Sequence, residues 1–151
     1  MNSKRYFFSL FVFIFFSFYN PLCAQDIYVQ ETNFISYIGL SVSDIITGFG
    51  IPNSVYAVRG QEEWQDDVVF AYKNIDFYIV KDRVWQISIN KAIGINLGDP
   101  KGAVLLVLGN SAQDNNTHIL QTLTGFNWPL QWRFNIKAGK VSAIYLYRLD
   151  Y

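Results

Sequence analysis

The sequence predicts an α+β domain built of two tandem helix-plus-antiparallel-hairpin repeats that share one antiparallel sheet, with the helices on one face. Three observations predict it. A glycine-framed apolar stretch, Gly39 to Pro52, recurs without a gap as Gly98 to Ser111, at an offset of 59. A hairpin pattern recurs after it in the same order at an offset of 57, where Phe77 matches Phe134, Ile79 matches Ile136, Arg83 matches Lys140, Val84 matches Val141 and Ile87 matches Ile144. The strands of these hairpins alternate apolar with polar residues, the period that gives a sheet one dry face and one wet face. A unit of about 60 residues buries only about 60% of its surface alone, so the two are expected to share a core.

The chain opens with a segment that stands apart from the fold. Lys4 and Arg5 precede an apolar run from Tyr6 to Tyr19, and Asn20-Pro21-Leu22-Cys23-Ala24 breaks it. This is the pattern of a secretory signal over residues 1–24. The run falls short of the roughly 20 residues a membrane-spanning helix needs. Cleavage after Ala24 leaves residues 25–151 as a single domain of two repeats, about 25–92 and 93–151. A lipid anchor on Cys23 is the rival reading, but Leu22 is not the small residue a lipobox places before its cysteine. The expected location is outside the cytoplasm, in the periplasm or cell envelope, with no integral membrane segment in the mature chain.

Removing Lys4 and Arg5 lowers Lys+Arg from 12 to 10 against 12 Asp+Glu, a net charge of −2. That excludes a nucleic-acid partner, which needs a basic face. The one cysteine leaves with the signal, so the core alone must hold the fold. At 51% apolar and 18% aromatic residues over the full chain, it has the means.

In chain order, Ile27-Tyr28-Val29 is a candidate edge strand, and Phe34, Ile35, Tyr37 and Ile38 are core anchors. The first helix follows at 41–49. Val42, Ile45, Ile46 and Phe49 make one apolar stripe, and Ser41 with Asp44 resembles a capping box. Gly50 is placed to end the helix in the left-handed conformation, and Pro52 blocks its continuation. Strands are expected at 54–58, 68–73, 75–80 and 84–90. The second helix spans 100–108 on Val104, Leu105 and Leu108, with Pro100 in its first turn and Gly109 at its end. A polar loop at 111–117 leads to strands at 118–124, 130–137 and 141–148.

Alternation assigns the faces. Ile75, Phe77, Ile79, Trp85, Ile87, Ile89, Trp132, Phe134, Ile136, Ile144 and Leu146 point toward the helices. Asp76, Tyr78, Gln86, Ser88, Arg133, Asn135, Tyr145 and Tyr147 point away. Tyrosine and arginine are favoured at protein interfaces because each joins a large contact area to a hydrogen-bonding tip. The candidate partner-binding residues are therefore Tyr78, Gln86, Arg133, Asn135, Tyr145 and Tyr147, with the loops around Trp64 and Trp128.

The glycine, ten residues, glycine spacing followed by a hairpin of the form F-x-I-x-x-(D/G)-(R/K)-V-x-x-I resembles the SmpA/OmlA/BamE outer-membrane-assembly family. The tandem arrangement is similar to the β-lactamase-inhibitor-protein (BLIP-like) fold. The resemblance spans Gly39–Ile89 and Gly98–Tyr147. It implies a periplasmic or secreted, non-enzymatic protein whose concave sheet grips another protein. The mature chain departs from the tandem inhibitors in having no cysteine.

Catalysis has little to work with. His118 is the only histidine; no catalytic triad, Gly-x-Ser-x-Gly elbow or phosphate loop accompanies it. No cofactor or metal is expected. Glu62, Glu63, Asp66 and Asp67 surround Trp64 without calcium-loop spacing, and read as a solvated acidic turn. Asn115-Asn116-Thr117 is a sequon by pattern and reads as a polar loop. The sequence thus describes a module that binds a partner protein of unknown identity. The alternative is a small-ligand carrier or hydrolase whose cavity, between sheet and helices, would be lined by Trp85 and Trp132.

Overall fold

The computed structural model describes residues 34–60 and 66–151. The signal at 1–24, the strand expected at 27–29, Glu62, Glu63 and Trp64 lie outside the described residues.

A single turn, α1 (Phe34–Tyr37), leads to α2 (Val42–Phe49). Ser41 caps α2. Its hydroxyl accepts the Asp44 backbone N–H at 3.1 Å, and the Asp44 carboxylate accepts the Ser41 N–H at 2.9 Å, a complete capping box. Hydrogen bonds from the Ser41 side chain and then its backbone lower the Asp44 pKa. Helix α3 (Lys101–Leu108) lacks such a cap, and Pro100 sits at its N-cap position, one residue earlier than expected. A neighbouring turn supplies the missing partner: the Lys101 N–H donates to the Gly139 carbonyl at 2.9 Å. Gly50 and Gly109 end the helices at positive φ (76° and 54°), but their ψ values of −159° and −136° lie outside the left-handed helical basin. Each instead donates its N–H back along the helix, to the Ile46 and Leu105 carbonyls.

Among the described residues ten strands follow in chain order: β1 (Ser54–Val58), β2 (Asp67–Ala71), β3 (Ile75–Val80), β4 (Arg83–Ile89), β5 (Lys91–Ala92), β6 (Ile95–Asn96), β7 (Gln113–Asp114), β8 (His118–Leu123), β9 (Leu130–Lys137) and β10 (Lys140–Arg148). Eight form an antiparallel sheet in the order β1-β2-β3-β4-β10-β9-β8-β7, while β5 and β6 make a small separate ribbon. The fold is therefore α+β around a large antiparallel sheet. The unexpected strands β5, β6 and β7 have two residues each, too few for any alternation to show.

The β3–β4 and β9–β10 hairpins turn through Lys81-Asp82 and Ala138-Gly139. All four residues have positive φ, from 48° to 75°, the signature of the type I′ turn that matches strand twist. The Asp82 carboxylate accepts the Val42 N–H at 3.3 Å, so each long helix starts on a hairpin tip. The approach to each helix is pinned alike. Gly39 N–H donates to the Val84 carbonyl and Val84 N–H to the Leu40 carbonyl (2.7 and 2.9 Å); Gly98 with Val141 and Val141 with Asp99 do the same (2.8 and 2.8 Å).

Both helices bury their apolar sides in one cluster on one face of the sheet. Ile45, Val104 and Leu108 meet Phe77, Ile87, Ile89, Phe134, Ile144 and Leu146 there. Tyr37, Phe49, Tyr72 and Phe77 meet edge-on or tilted, with centroids 4.9–6.0 Å apart. Ile46 departs from the expected stripe and is 43% exposed. It lies about 100° around the helix from the buried Ile45, beyond the short line along which two turns can touch a sheet.

Gly39 carries a tertiary contact. Its φ is +90°, and a Cβ there would lie 2.5 Å from Cη2 of Trp128. The indole is itself held, with the Arg148 guanidinium 4.8 Å from its ring centroid. Gly39→Ala is expected to destabilise the fold by about 1–3 kcal/mol, from positive-φ strain plus displacement of the indole, measured by urea unfolding.

Candidate functional site

Cross-strand partners share a face, so the registers define two rows on the side away from the helices. One runs Tyr56, Val69, Tyr78, Gln86, Tyr147, Gln131, Thr122. The other runs Ala71, Asp76, Ser88, Tyr145, Arg133, Leu120. Val58, Tyr78, Trp85, Gln86, Arg133, Asn135, Tyr145 and Tyr147 line one open depression of about 450 Å³. All six sheet residues expected at the binding face therefore come together.

Trp85 is a correction. Strict alternation placed it toward the helices, but a β-bulge intervenes: Ile79 pairs with Val84 and Tyr78 with Gln86, leaving Trp85 as the extra residue. The indole lies on the outer face, donates Nε1–H to Asp67 at 2.8 Å and stacks on Tyr151 at 5.9 Å. Trp132 is 4% exposed within the core. The two tryptophans are thus on opposite sides of the sheet and cannot line one cavity, which removes the basis given for a carrier pocket. A matching bulge leaves Ser142 unpaired between Val141 and Ala143. Trp128 lies apart from the depression, half-buried against the core beside Gly39. Trp64 lies outside the described residues.

This face is drier than its polar sequence suggests. Val69 is fully buried between the cross-strand neighbours Tyr56 and Tyr78, and Asp67 and Gln131 are buried too. Gln131 accepts the Tyr147 hydroxyl and donates to Thr122 at 3.1 Å. Tyr78 meets Tyr145 edge-on at 6.5 Å. Burial raises the pKa of Tyr78, Tyr147 and Tyr56, so these hydroxyls stay protonated. Burial also raises the pKa of Asp67, against the lowering Trp85 hydrogen bond, and raises that of Asp76. Arg133 is exposed, and its Nε donates to Asn135 at 2.8 Å; among the described residues it pairs with no carboxylate.

Sequence reasoning did not assign Val58 to this face, because β1 is apolar on both sides. The acidic turn resolves in part: Asp66 bridges Arg59 at 3.4 Å and Asp67 holds Trp85. His118 contacts Thr117 and Asn115 at 3.1 and 3.2 Å. Among the described residues no three His, Cys, Asp or Glu side chains gather at a metal-binding distance, and no helix is long and apolar enough to cross a membrane.

No family model matches the sequence, and no curated protein matches it. Solved structures do align with it. An extracellular protein containing a SCP domain from Bacillus anthracis aligns at a TM-score of 0.52 and 9% identity, over 80% of this chain and 47% of that one. A cysteine-rich secretory protein from Staphylococcus aureus aligns at 0.46 and 10%, over 76% and 46%. The chain spans about half the length of these structures. The likeness to the Bacillus anthracis protein is one of fold, and it points away from the SmpA/OmlA/BamE and BLIP-like resemblance, which is overturned. The motif behind that resemblance encodes a helix end and a tight turn, local features that unrelated antiparallel sheets also carry.

The raised Asp76 carboxyl yields a signed prediction. A carboxyl with a higher pKa folded than unfolded costs stability as pH rises above its unfolded value, near 3.8. Asp76→Asn removes that cost. The variant is expected to be more stable than wild type at neutral pH, with the gap closing as pH falls toward and below 3.8, read from denaturant unfolding across pH.

Proposed function

We propose that this chain is an exported, non-enzymatic protein of the periplasm or cell envelope that binds a partner protein through the depression on its outer sheet face. One observation carries the reading: Tyr78, Trp85, Tyr145 and Tyr147 surround the depression together with Arg133, which is exposed and meets no carboxylate among the described residues. Aromatic rings already held by neighbours lose little freedom on binding, and arginine and tyrosine dominate the energetics of protein interfaces. The leader-like pattern at 1–24 supports export, and the Bacillus anthracis neighbour is an extracellular protein. His118, the only histidine, has both ring nitrogens engaged by its loop neighbours Thr117 and Asn115, which supports a role without catalysis. Residues 25–151 form a single domain in this reading.

We further infer that its halves, about 25–92 and 93–151, are tandem repeats sharing the sheet. The paired hydrogen bonds at Gly39 and Gly98, the two type I′ turns and the two bulges support this. So does the Ser88–Tyr145 pair, since these residues correspond at the same offset of 57 and face each other across the central strands.

Arg133→Glu tests the binding face. Arg133 is exposed, so stability should stay within about 0.5 kcal/mol of wild type. Capture of a partner from the native envelope fraction, with each protein as bait, should fall about tenfold or more for the variant. Equal capture by both baits would move the binding site off this face.

A further inference from the structure

We infer that β1 is a dimerisation edge, at which two copies of this chain join β1 to β1 antiparallel and continue the sheet across a two-fold axis. Strand β1 ends the sheet, so among the described residues one flank of its backbone has no strand beside it. All five of its residues are exposed. Its sequence, Ser-Val-Tyr-Ala-Val, contains none of the lysine, proline or inward charge by which edges are usually guarded. Val55, Tyr56 and Val58 are 55%, 43% and 39% exposed. Tyr56 and Val58 stand over the outer face, in register with Val69 and Asp67, while Val55 stands on the helix side with Phe70. A strand added here would cover apolar surface on both sides of the sheet.

The opposite edge decides the occupant. There β7 has only two residues, and Asp114 is held by Lys101 at 2.7 Å and by the Asn116 N–H at 3.0 Å. Joining β1 of one copy to β7 of the next would propagate without closing, and β7 is too short and too charged to accept it. Pairing β1 with itself closes at two copies. Charge permits that pairing. Along the chain the charge that follows β1 is Arg59, already bridged to Asp66. In a register centred on Tyr56, Arg59 falls opposite Asn53 of the second copy, and no like charges from residues 53–59 stand opposite one another.

Sedimentation velocity of the purified full chain is expected to show a monomer–dimer equilibrium. Val55→Lys and Val55→Glu should each weaken it about tenfold or more, since each sets like charges on both sides of the axis. An equimolar mixture of the two variants should recover a heterodimer, a result that damage to the fold would not produce. Hydrogen exchange on wild type needs no variant: the backbone amides of β1 should gain protection as concentration rises. A chain that stays monomeric at every concentration overturns the inference. So does a dimer indifferent to both charges, or one whose new protection lies elsewhere. A monomer whose β1 amides are protected only by an added extended peptide would give this edge to a foreign strand and overturn the second-copy assignment.

Discussion

Four residue pairs between β4 and β10 hold this molecule in one layer. Ile89 with Ile144, Ser88 with Tyr145, Ile87 with Leu146 and Gln86 with Tyr147 are the seam between two four-stranded halves. On the helix side the seam sets three isoleucines and a leucine into one core, so α2 and α3 cover a shared apolar surface. On the other side it brings Gln86, Tyr145 and Tyr147 beside Tyr78 and Arg133. Without this pairing each half would face the burial deficit of a domain of about 60 residues, and the depression would be split down its middle.

The elements that were legible in the sequence are those whose period had room to repeat. β3 and β9 match their expected bounds, and the capping box of α2 was readable because its two polar groups stand three residues apart. Three features were hidden for physical reasons. The ribbon of β5 and β6 rests on a turn at Ile93-Gly94, where Ile93 takes a φ of 45° that its β-branched side chain gives no reason to expect. The start of α3 has no side-chain cap because a distant hairpin tip supplies the acceptor. Trp85 was misplaced because a bulge adds one residue without leaving a composition signal.

That bulge also shapes the candidate site. An unbroken β4 would put the indole into the core and leave Gln86 and Ser88 as its outward residues. The extra residue instead turns an aromatic ring outward, where Asp67 and Tyr151 fix it. Six side chains of the depression were readable by alternation and two were not, the second being Val58 on a strand with no polar face. The dryness of the surface was hidden as well. Val69 is buried there because tyrosines stand on both sides of it, a tertiary effect absent from the local pattern of β2.

The outer row Asp76, Ser88, Tyr145, Arg133 has a further consequence. Asp76 and Arg133 occupy equivalent places on either side of the central pair, three strand spacings apart, or about 14 Å. Backbone geometry alone would let a visitor lie across the seam equally well either way round. The two side chains give the row an anionic end and a cationic end, so the surface has a compass direction that its scaffold lacks.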